Sequence, residues 1–119
     1  MKTGDIIPQK EKLGKIISYI AKKSSDEGKT VVTGKELKEK YDYEFIHDGL
    51  VVTIDRNIQQ MVDREFKVDE FWGHQIRIDI AAGTEDGSLS NSELKRILKD
   101  AFEEYVDVIN RKSQKYDEL

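Results

Sequence analysis

The chain has no cysteine. Disulfides, thiolate metal sites and cysteine nucleophiles are therefore excluded, and a reducing compartment is compatible. One proline and eight glycines in 119 residues argue against long linkers. Histidine is scarce: His47 and His74 are the two in the chain, and no nucleophilic triad can be argued from them. Long apolar runs are also missing. Ile6-Ile7 is far too short to span a bilayer, and the N-terminal stretch lacks the apolar run of a signal peptide. These absences predict a cytoplasmic protein with no membrane segment.

Charge is abundant and unevenly placed. Residues 1–41 carry ten Lys, no Arg and six acids, a balance of +4. Residues 42–119 carry ten Lys and Arg against eighteen acids, a balance of −8. Two surfaces of opposite sign are implied, and with them a protein that touches something charged. The acidic total of −4 argues against a general nucleic-acid coat, although a basic patch can act locally. Apolar residues make up 37% of the chain, a low share, but they are periodic and so can build a small core. The length predicts one domain over residues 1–112, followed by a frayed tail over 113–119.

The periodicity predicts the elements in turn. A first helix is expected from Pro8 to about Lys23, with Leu13, Ile16, Ile17 and Ile20 on one side. Residues 24–28 read as a loop and Thr30–Val32 as a short strand. Thr33 and Glu36 have the spacing of a capping box, opening a second helix that ends near Tyr41. Tyr43–Ile46 and Leu50–Ile54 read as a hairpin around His47-Asp48-Gly49. Asp55 is expected to cap a third helix over 56–66, with Ile58, Met61, Val62 and Phe66 inward. Gln75–Ile80 alternates strictly, as a half-buried strand does. Ser90 and Glu93 repeat the capping-box spacing before a fourth helix, which runs to about Lys112 with Leu94, Ile97, Leu98, Ala101, Phe102, Tyr105 and Ile109 inward. The order α-β-α-β-β-α-β-α describes an α+β domain: a small antiparallel or mixed sheet packed by helices, closed by a long C-terminal helix.

Several fragments fall short of known sites. Asp86–Glu93 resembles the second half of an EF-hand loop, but its first two acidic ligand positions would be Ala82 and Thr84. Gly28 to Gly34-Lys35 has five intervening residues where a phosphate loop has four, and Glu36 replaces its metal-binding hydroxyl. Thr53–Gln59 is similar to a stretch near the start of penicillin-binding transpeptidase domains, but Ser92-x-x-Lys95 and Lys2-Thr3-Gly4 stand in the wrong order and the chain is too short. Asp55 and Asp79 would hold Mg²⁺ only if their strands were neighbours. No cofactor, catalytic residue or metal ligand is assigned.

Binding surfaces remain. Glu93, Asp100, Glu103, Glu104 and Asp107 fall on one arc of the fourth helix, with Arg96 among them. A rigid acidic stripe of this kind suits a basic protein partner, such as a nucleic-acid-binding protein. Arg56, Asn57, Gln59, Gln60 and Arg64 share the polar face of the third helix, and these residue types read purines in the major groove. Lys12, Lys15, Lys22 and Lys23 cluster on the first helix and could contact phosphate. Thr33–Tyr41 also resembles part of a helix-turn-helix domain, although about fourteen residues separate it from the third helix. The expected function is non-enzymatic: an inhibitor or adaptor of the phage or mobile-element accessory type, acting on another macromolecule through its acidic C-terminal helix. The alternative is a helix-turn-helix-like DNA-binding regulator.

Overall fold

Leu50, Val52 and Ile54 are fully buried, and the residues between them are half-buried. The same alternation buries Ile76, Ile78 and Ile80. Two such strands side by side make one apolar sheet face, and that face sets the architecture. The computed structural model describes residues 3–27, 29–43, 45–56, 65–71, 75–81, 83 and 89–117. Its elements are α1 (Thr3–Glu27), β1 (Lys29–Thr33), α2 (Gly34–Lys40), β2 (Leu50–Asp55), β3 (Phe66–Phe71), β4 (Gln75–Ala81) and α3 (Asn91–Asp117). Among the described residues the fold is α+β: three helices and a mixed four-stranded sheet, ending in a long helix.

The sheet order is β1-β2-β4-β3. β2 and β4 run parallel at the centre, and each edge strand is antiparallel to its neighbour. The register aligns Val32, Val52, Ile78 and Val68 across all four strands. α1 and α3 cover this face, supplying Ile16, Ile17, Ile20 and Ala21 from one helix and Leu94, Ile97, Leu98, Ala101, Phe102 and Tyr105 from the other. The opposite face carries Lys29, Val31, Thr53, Arg77, Asp79 and Lys67, all exposed or half-buried.

Four sequence expectations are corrected. Tyr43–Ile46 is not a strand. Among its described residues Ile46 N donates to Tyr43 O (3.1 Å), and just beyond it Leu50 N donates to His47 O (3.0 Å), both turn bonds and not a strand ladder. β2 already has β1 and β4 on its two sides, so it has no free edge for a hairpin partner. Phe66–Phe71 is a strand, so Phe66 opens β3 and does not close a helix. α1 starts before Pro8 and continues through Ser24, Ser25 and Glu27. There Ser24 and Ser25 donate their hydroxyls back to the carbonyls of Ala21 and Lys22 (3.0 and 2.8 Å), a bond that lets serine stay helical. α3 runs on to Asp117. The expected helix interior at Ile58 and Val62 lies outside the described residues, while Ile16, Ile20, Ile78, Leu98, Phe102 and Tyr105 are fully buried.

Both helix starts follow their capping residues. The Thr33 hydroxyl accepts from Glu36 N, and the Ser90 hydroxyl from Glu93 N, each at 3.2 Å. Gly34 is required by space: a side chain there would run into the carbonyl oxygen of His47. The 45–49 segment is held by Tyr105. Its hydroxyl accepts from His47 N (2.8 Å) and donates to Phe45 O (2.5 Å).

Burial pushes the Tyr105 hydroxyl well above the usual tyrosine range. The folded chain thus holds this proton more tightly than the unfolded chain does. The resulting stability is complete below about pH 10, the unfolded tyrosine value, and is lost as pH rises above it. Tyr105→Phe should destabilise by about 1–3 kcal/mol at neutral pH, since two backbone groups lose their partner. Urea titrations at pH 7 and at about pH 11 should show the gap between variant and wild type narrowing at the higher pH.

Candidate docking surfaces

The side of α1 turned away from the core presents Glu11, Gly14, Lys15, Ser18 and Lys22, all exposed. The half-buried Tyr19 and Tyr41 rise beside them, and together these residues line a groove of about 710 Å³. The tyrosine rings meet edge to face, 6.2 Å between centroids and 61° apart. The Lys40 ammonium stands 5.0 Å from the Tyr19 centroid, over the ring face. Tyr19 OH donates to Glu36, and Lys23 pairs with the same carboxylate at 3.2 Å. The Tyr19 hydrogen bond, helped by the charge of Lys23, holds the Glu36 carboxyl below its ordinary value. Glu36 therefore fastens α2 to α1 and fixes the tyrosine wall.

The four lysines expected on α1 divide by role. Lys12 donates to the Asp42 carbonyl (2.5 Å) and Lys23 to Glu36, so both tie the segment around α2 to α1. Lys15 and Lys22 line the groove and form no salt bridge among the described residues. The groove itself is absent from the sequence expectations. Its signal there is Gly14, an interruption in an otherwise side-chain-bearing helix face.

On α3, Glu93, Asp100, Glu103 and Asp107 are exposed and Glu104 is half-buried. Arg96 lies among them, reaching Glu65 at 3.0 Å and Asp100 at 3.9 Å. Arg111 donates to the Asp107 backbone carbonyl at 3.4 Å. The stripe is thus acidic with arginines inside it, and Lys95 and Lys99 border it as exposed residues.

Arg56 is not on a polar helix face. It is 8% exposed, just after β2. Its Nε donates to Leu89 O at 3.1 Å, and Nη2 reaches the same oxygen. Nη1 donates to Asn91 Oδ1 (2.8 Å) and Ser24 Oγ (3.4 Å). Asn57, Gln59, Gln60 and Arg64 lie outside the described residues, as do His74 and Trp72. His47 Nδ1 accepts from Gly49 N at 2.9 Å inside its turn. Asp55 and Asp79 do share one sheet face on neighbouring strands, but Asp79 stands opposite Thr53 and is paired with Arg77 at 3.4 Å. No three metal-ligating side chains group together among the described residues, and no helix there is long and apolar enough to cross a membrane.

No family model, curated protein or solved structure matches this chain.

Gly14 can be tested directly. Its backbone is not left-handed, and an added Cβ would meet nothing within 4 Å. Glycine in a helix interior costs about 0.8–1 kcal/mol relative to alanine. Gly14→Ala should therefore raise stability by about 0.4–1 kcal/mol in urea denaturation.

Proposed function

We propose that the protein is a non-enzymatic adaptor or inhibitor that docks the outward face of α3 against a basic groove on a protein partner, in the cytoplasm. One observation carries this reading. The inward positions of the helix are apolar and buried, while Glu93, Asp100, Glu103 and Asp107 all stand exposed on its other side. Such a face adds little to folding, because exposed charges contribute little. It acts at a distance, attracting a positively charged surface and orienting the encounter. A partner that binds nucleic acid fits best, since its own groove is basic for a different reason.

Direct base reading has weaker support. Arg56 belonged to the expected reading face and is committed to the interior. Lys12 and Lys23 are committed to α2 and the segment after it. No observation favours a second reading over the first.

The test is a reversal of Asp100, Glu103 and Asp107 to lysine. The melting temperature should stay nearly unchanged, because the lost contact is one exposed pair with Arg96. Affinity capture from nuclease-treated cells should return a basic protein with the wild type and lose it with the reversal. Association of the captured partner should be slower for the reversed chain at low salt, with the difference fading above about 0.15 M. Equal association rates at low salt would reduce the stripe to a solvated helix face.

A further inference from the structure

Gly14 and Gly34 differ in what they are for. Gly34 is demanded by the chain itself, through the His47 carbonyl. Gly14 is not. It sits inside α1 with ordinary helical backbone, a groove above it, and no neighbour within 4 Å of the place a Cβ would occupy. A residue that weakens a helix and serves no contact of the fold is suited to something approaching from outside.

We propose that this groove is a second docking site, taking an acidic segment of a protein partner, with an apolar side chain seated over Gly14 against Tyr41. Charge supports the occupant. Lys15 and Lys22 flank the floor, and Lys40 stands above Tyr19 at the wall. Among the described residues Glu11 is the one acid in the lining. The aromatic wall supports a peptide over a nucleic-acid strand. Tyr19 has its ring face under Lys40, its neighbour Tyr41 edge to face, and its hydroxyl on Glu36. With Lys40 over one of its faces, Tyr19 is a poorer stacking platform for a base than an uncovered ring would be. The depression is open and shallow, with the tyrosine rings and Gly14 as its apolar part and lysines beside them, a surface on which a short acidic segment with one apolar anchor can lie. The site is independent of the α3 face: it is of opposite sign and on the other long helix. A chain with both surfaces joins an acidic partner to a basic one, as an adaptor does.

The experiment pans random peptides of about 16 residues, long enough to cover such a groove, on the full chain, with Gly14→Leu as counter-selection. The enriched peptides should carry Asp and Glu around apolar anchors. They should shift the amide NMR signals of Glu11, Gly14, Ser18 and Tyr41. Their affinity should fall about tenfold or more on Gly14→Leu and on the Lys15→Glu/Lys22→Glu double variant. It should be unaffected by reversal of Asp100, Glu103 and Asp107. Gly14→Leu should melt at or above the wild-type temperature, so a loss of binding there reports the filled groove. If that variant does not fold, the double lysine variant decides alone. Selection without acidic bias would overturn the proposal, as would peptides that bind Gly14→Leu unchanged. An oligothymidylate that displaces the peptides and moves the same signals would also overturn it, in favour of a nucleic-acid groove.

Discussion

A buried guanidinium holds the helical layer on the sheet. Arg56 comes at the end of the central strand β2, and its donors go to Leu89 and Asn91 at the entry of α3 and to Ser24 near the end of α1. The backbone returns the contact, with Leu89 N donating to Arg56 O at 3.4 Å. Taking a charge out of water is costly unless its hydrogen bonds are satisfied inside. A planar fork that reaches both long helices from the end of β2 satisfies this need and fixes their relative position, which a single lysine ammonium would do less well. At the other end of the layer Tyr105 performs a related task with one hydroxyl, pinning the 45–49 segment. Between these two polar anchors the contacts are apolar.

Because these anchors and the apolar core hold the fold from inside, the outward sides of α1 and α3 are left exposed. α1 turns lysines and a tyrosine-walled groove outward, and α3 turns an acidic stripe outward. The charge split between the two parts of the sequence therefore becomes two separate surfaces and does not cancel across the helix pair. Glu36 and Lys23 meet locally, but their role is to seat α2 on α1.

Much of the fold is legible in the sequence where local chemistry decides structure. Thr33 and Ser90 announce their helices because a hydroxyl beside free backbone N–H groups caps them in any context. Gln75–Ile80 shows its strand through strict alternation, and α3 shows its inner face through an unbroken helical period. The failures come where tertiary context decides. Phe66-Lys67-Val68-Asp69 alternates too, with Gly73 behind it as a turn signal, but Phe66 also fits the end of the preceding helical period. Tyr43–Ile46 has strand-forming residues and no strand to pair with. Arg56 reads as a surface residue because residue type alone does not reveal burial, and its partners are more than thirty positions away in both directions. The α1 groove is invisible in the sequence for the same reason: Tyr41 joins it only through the packing of α2.

Native-state hydrogen exchange on Arg56→Met tests the central claim most directly. Methionine keeps much of the apolar length and removes every donor. If Arg56 joins the helices to the sheet, protection should be lost selectively in the last turns of α1 and the first turns of α3. The segment held by Tyr105 and the centre of the sheet should lose much less. Protection that falls equally everywhere, or does not fall at all, would contradict the claim that this one guanidinium holds the layers together.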